Sequence, residues 1–203
     1  ISPTINFRIR KPSPRSPYIQ SIRLRGVIVD RELASDFEGS TNELSSASFS
    51  VFNANYRLEK TDILKPLIFR FHLETADKFG KIFTEVDQRW MLPNKRWLNW
   101  RSFGGYFLYN RFAADGIKDN FYSFGLSGSP DYLFDYYLIG RSDQDGIWSR
   151  QFFTSDGGFK SETNVFSDQF MLSTSLSVPL YGFLGLFGDY ALTEENQYWD
   201  YGI

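Results

Sequence analysis

Residues 169–188 read QFMLSTSLSVPLYGFLGLFG, from Gln169 to Gly188, and carry no charge over a length that could span a bilayer as a helix. They do not read as a helix. Pro179 sits in the middle, Gly182, Gly185 and Gly188 follow, and Ser173, Ser175 and Ser177 alternate with Leu172, Thr174, Leu176 and Val178. A period of two places successive side chains on opposite faces of a strand. The stretch predicts two long strands joined by a tight turn at Val178-Pro179-Leu180, with Phe170, Leu172, Leu176 and Val178 on one face and Met171, Ser173, Ser175 and Ser177 on the other.

The same alternation extends outward through the chain. Ile5, Phe7 and Ile9 alternate with Asn6, Arg8 and Arg10, and Phe52, Ala54, Tyr56 and Leu58 with Asn53, Asn55, Arg57 and Glu59. Leu67, Phe69, Phe71 and Leu73 alternate with Ile68, Arg70, His72 and Glu74. Ile82, Thr84, Val86 and Trp90 oppose Lys81, Glu85, Asp87 and Arg89, and Phe83 breaks the polar row. Tyr132, Phe134, Tyr136 and Leu138 share a face opposite Asp135 and Arg141. No stretch shows helical spacing of three and four, so the chain reads as all-β, with about a dozen strands between Gly, Pro, Asn and Asp turn signals.

Composition narrows the class. The 203 residues carry 22 Lys plus Arg against 24 Asp plus Glu, a net charge of -2 that argues against a basic nucleic-acid surface. With no cysteine and a single histidine, His72, disulfide scaffolds, cysteine nucleophiles and metal sites needing two imidazoles are excluded within these residues. Aromatic residues make up 19% of the chain. Many lie near the ends of predicted strands: Tyr18, Trp90, Trp97, Trp100, Tyr109, Tyr122, Tyr132, Trp148, Tyr181, Tyr190 and Trp199. Outer-membrane barrels place their interfacial girdles there.

Strand length points the same way. The runs Tyr18 to Arg31, Ser46 to Lys60, Leu64 to Asp77, Leu98 to Arg111 and Ser167 to Val178 all reach the roughly 9–11 tilted residues that cross hydrocarbon, a length uncommon in soluble sheets. The expected fold is therefore an all-β, antiparallel transmembrane β-barrel of the outer-membrane type. Residues 1–203 are expected to form one barrel region, incomplete in itself and part of a longer chain, because the alternation starts beside Ile1 and is still running at Tyr198 to Ile203. The charges of the polar rows should face the barrel interior, since Arg or Lys facing lipid at the midplane costs about 2–4 kcal/mol.

The chemistry-bearing groups are few. Asp143-Gln144-Asp145-Gly146 has the opening of a calcium loop but no distal bidentate glutamate, and reads as a polar turn. His72, with Arg70 and Glu74 on its face, reads as part of a polar lumen row. No catalytic, cofactor-binding or metal-ligating residue is expected in this segment.

From Leu138 onward the chain resembles a family. Gly140-Arg141-Ser142-Asp143, Gly157-Gly158-Phe159-Lys160-Ser161, Gln169-Phe170-Met171 and Gly188-Asp189-Tyr190 resemble the C-terminal region of aminopeptidase-type (gluzincin) zinc metallopeptidases of certain Gram-negative bacteria. The resemblance covers about a quarter of the chain, and it implies a β-rich extension following an N-terminal catalytic domain. The family's H-E-x-x-H zinc motif needs two histidines, so no catalytic residue carries over and any peptidase chemistry would belong to other parts of the parent protein. The expectation is a segment in a Gram-negative outer membrane that anchors or scaffolds a larger envelope protein or complex. Its partners would be outer-membrane lipid and either other envelope subunits or the rest of its own chain, with no nucleic acid. The alternatives are a pore or transport barrel, or a soluble β-rich binding module attached to an enzyme.

Overall fold

The computed structural model describes residues 2–9, 11, 13, 15–33, 45–111, 122–126, 156–159, 163, 165–181 and 184–202. Its elements are strands: β1 (Thr4–Ile9), β2 (Tyr18–Leu33), β3 (Ser45–Lys60), β4 (Leu67–Ala76), β5 (Phe79–Met91), β6 (Trp97–Asn110), β7 (Phe124–Gly125), β8 (Phe166–Ser167), β9 (Phe170–Tyr181), β10 (Leu184–Thr193) and β11 (Gln197–Gly202). Nine of them form one sheet in the order β1-β2-β3-β4-β5-β6-β9-β10-β11, and β7 pairs with β8 in a separate ribbon. Every neighbouring pair in the sheet is antiparallel. The all-β antiparallel architecture is as expected. The sheet is open: β1 and β11 are its two edges and are not hydrogen-bonded to one another.

Several strand limits move for local reasons. The strand expected from Leu64 begins at Leu67, because Asp62 Oδ1 accepts hydrogen bonds from the amides of Leu64 and Lys65 at 2.9 and 3.2 Å and holds the chain in a turn. Those amides, with Lys60 beside them, keep the Asp62 carboxyl below its ordinary range. The turn expected at Val178-Pro179-Leu180 lies further on, since β9 runs through Pro179 to Tyr181. A register shift at Leu184/Gly185 sits opposite the proline, and this bulge accommodates a residue that cannot donate to the ladder.

Four connections lie at each end of the sheet: those joining β1 to β2, β3 to β4, β5 to β6 and β9 to β10 at one end, and those joining β2 to β3, β4 to β5, β6 to β9 and β10 to β11 at the other. The two longest, β2 to β3 and β6 to β9, share one end. The expected face of Tyr132 to Leu138, the turn Asp143 to Gly146 and Trp148 lie outside the described residues.

The described parts of the 111–169 connection return onto one face of the sheet, and the core lies between them and it. Phe124 packs its ring 4.9 Å from Phe107, 5.5 Å from Phe103 and 6.1 Å from Phe83, centroid to centroid. Tyr122 lies 5.1 Å from Phe79 and 5.4 Å from Phe49. Tyr122, expected at the interfacial girdle, is instead buried in this core. Gly105 leaves room for the contact: a Cβ there would stand 2.6 Å from the Phe124 ring. Backbone bonds from Gly157 to Gly125 (2.8 Å), Phe159 to Leu126 (3.0 Å) and Leu126 to Val165 (3.1 Å) hold the returning segments together.

Candidate functional site

The register sorts the sheet's side chains into two faces of opposite chemistry. Directly opposed residues share a face. One row therefore runs Ile5, Leu24, Ala54, Leu73, Ile82, Tyr106, Phe170, and the next runs Phe7, Ile22, Tyr56, Phe71, Thr84, Gly104, Leu172, Leu192. Neither contains a charge. We call this the outer face. Its rings include Tyr18, Trp90 and Trp100 toward one end and Tyr106, Tyr190 and Trp199 toward the other, with Trp90 stacked on Trp100 at 5.9 Å. Trp97, opposed to Met91 at a strand end, falls on the other face.

The corresponding inner rows are polar. Thr4, Arg25, Asn53, Glu74, Lys81 and Phe107 follow one another across six strands, and Arg8, Ser21, Arg57, Arg70, Glu85, Phe103 and Ser173 form another row. Burial differs between the two faces. Ser173 and Ser175 are 4% and 9% exposed, whereas Leu172 and Leu176, on either side of them, are 50% and 47% exposed. Phe52, Ile28, Tyr106, Leu108 and Trp199 are likewise exposed, while Glu74, Lys81, Glu85 and Asp189 are buried.

The inner charges compensate one another. Arg70 Nη1 donates to Glu85 Oε2 and to Asp87 Oδ2, each at 2.7 Å. Arg101 reaches the same two carboxylates at 3.2 and 3.9 Å, and also donates to the Asp156 carbonyl at 3.1 Å. Gly158, at φ 71°, packs against that guanidinium with no space for a Cβ. Beside this four-membered cluster, Lys81 pairs with Glu74 at 3.3 Å, Asn53 donates to Glu74 at 3.2 Å, and the lysine ammonium reaches the Tyr122 carbonyl at 3.4 Å. Ser175 Oγ donates to Asp189 at 2.5 Å.

His72 occupies the polar row as expected, and its ring stacks on Phe83 with centroids 4.3 Å apart and an 8° interplanar angle. The Asn55 amide lies 2.9 and 3.1 Å from its two ring nitrogens. Among the described residues no three His, Asp or Glu side chains converge as a metal site would require. No described buried side-chain nitrogen or oxygen lacks a partner. Arg70, Glu85, Asp87 and Arg101 thus form a closed electrostatic unit that ties three strands to the returning connection. Alternation places these four on one face. The joining of Arg101 to Asp156 and of Lys81 to Tyr122 was not readable, because it depends on contacts between residues far apart in sequence; the ring of Phe83 amid charges is the one local sign of it.

The fold and site define a nine-stranded antiparallel sheet with one face whose central rows are apolar and one charge-compensated face. Compared with protein-family models, curated proteins and solved structures, the chain matches none.

Proposed function

We propose that this chain forms the wall of a transmembrane β-barrel of the outer-membrane type, with its outer face against lipid, and anchors or scaffolds a larger envelope protein or complex. One observation carries the reading: large apolar side chains are exposed across the sheet's outer face, while charges and serines are buried on its inner face. In water, a contiguous apolar surface of that breadth would drive association, and monomeric soluble proteins rarely expose more than a few hundred Å² in one patch. In hydrocarbon it is the favourable surface, and the polar rows belong inside. The sheet's own features favour an anchor over an open pore, since Phe83, Phe103, Phe107, Phe124 and Met171 pack the inner face and the Arg70 and Arg101 cluster is neutralised in place.

Among the described residues no helix is long and apolar enough to cross a membrane. A parent zinc metallopeptidase, implied by the resemblance, is a separate proposal and assigns no chemistry to these residues.

The test uses the full-length protein in native membranes. It should stay in the pellet after carbonate washing and require detergent for release. Cysteines at Leu172 and Leu176 should resist a membrane-impermeant thiol reagent until detergent is added, whereas cysteines at Arg23 and Arg57, exposed on the inner face, should react. Release by carbonate, or equal labelling of the two sets in membranes, would refute the lipid assignment.

A further inference from the structure

Strand direction limits how this sheet can be completed. Each neighbouring pair is antiparallel and the sheet has nine strands, so β1 and β11 run the same way. Joining these two edges directly would make a parallel seam. Joining β11 to β1 of a second copy inserted in the same orientation would also make one, and a two-fold axis along the membrane normal leaves β1 parallel to its copy. Antiparallel pairing of β1 with β1 requires one copy upside down in the membrane.

Leaving the edges bare is not an option in hydrocarbon, where each unpaired N–H or C=O costs several kcal/mol. We propose that the wall is closed between β11 and β1 by an odd number of further amphipathic polypeptide strands, those at each junction running antiparallel to the edge they meet. This rests on the membrane-wall reading above. It brings the complete barrel to an even strand count, the rule for single-chain bacterial barrels. The side chains at both edges indicate what such a strand must look like. Ile5, Phe7 and Ile9 on β1 lie on the outer face with Trp199 and Tyr201 on β11, while Asn6 and Arg8 lie on the inner face with Tyr198 and Asp200. A closing strand must therefore alternate in the same sense, apolar outward and polar inward, with a polar or acidic inner residue where it passes Arg8.

The full-length protein in native membranes supplies the test. A cysteine pair at Asn6 and Arg23, directly opposed on β1 and β2, gives the reference yield of oxidative crosslinking. Pairs combining Asn6 or Arg8 with Tyr198 or Asp200 probe the direct seam and should crosslink roughly tenfold less, because a disulfide does not bridge Cα atoms more than about 7 Å apart. A benzophenone amino acid placed at Phe7, and separately at Tyr201, should capture peptides that belong to none of the nine strands. Seam disulfides at the reference yield, within one copy or between copies, would overturn the closure, and so would failure of both photoprobes to capture any such peptide in carbonate-resistant membranes. Carbonate release would instead overturn the membrane reading together with the closure built on it.

Discussion

Phe83 stands among the charges of β5 because its ring packs against three others, His72 on β4, Phe103 on β6 and Phe124 on the returning connection. Phe124 is fully buried, so Phe124→Ala should lower stability by about 3–5 kcal/mol, read as the unfolding midpoint in lipid vesicles; a change within error would show that the returning segment is not docked there. Lys81 and Glu74, both nearly inaccessible, form a pair whose separation strands a charge. Lys81→Met alone should cost about 3–5 kcal/mol, and adding Glu74→Leu should recover much of it. Additive losses in that double-mutant cycle would mean that the ion pair is not the coupling. Asp168, between β8 and β9, has its carboxyl pushed upward by burial and then by Glu194, with which it shares a hydrogen bond. A raised folded pKa means that the folded state holds its proton more tightly. Its stabilisation is complete below the ordinary value of 3.8 and is lost as pH rises through the folded value. Asp168→Asn keeps a donor for Glu194, so its midpoint should exceed that of the parent near neutral pH and the margin should shrink in acid; parallel curves would contradict this account.

Elements built from long alternation were legible, and elements built from distant contacts were not. The strands β2, β3, β6 and β9 lie within a few residues of their expected limits because the pleat repeats the same two-face choice many times. β4 begins at Leu67 rather than Leu64 because one carboxylate, Asp62, captures two amides. β9 continues past Pro179 because a bulge in β10's pairing tolerates the proline. The ribbon of β7 and β8 has two residues a strand and no period to detect. It is held through Phe124, Leu126 and backbone bonds rather than by propensity. Replacing Phe124 and Leu126 together with serine should free that ribbon while leaving the nine strands paired. Limited proteolysis should then cut between Arg111 and Phe166 at an increased rate with the far-ultraviolet β signal retained; loss of both together would show that the ribbon and the sheet form one cooperative unit.

At the scale of the molecule, the sheet has one joint unlike the others. All its joints link strands that follow one another in the chain except β6 with β9, between which the 111–169 connection intervenes. Closing that joint carries about 3 kcal/mol more loop entropy than a two-residue turn. Local hairpins should accordingly form early, giving a β1–β6 half and a β9–β11 half before the wall is continuous. The connection bridges this joint, since Arg101 on β6 donates to the Asp156 carbonyl and Ser173 on β9 to the Gly157 carbonyl. The joint therefore sets an order of assembly, hairpins first and then the joint together with the connection that spans it. In pulsed hydrogen exchange during refolding, amides of the β6/β9 pairing around Ser102 and Thr174 should become protected after those of β2/β3 and together with those of Gly157 and Phe159. Simultaneous protection of all the joints would mean that the wall closes in a single step around whatever it happens to enclose.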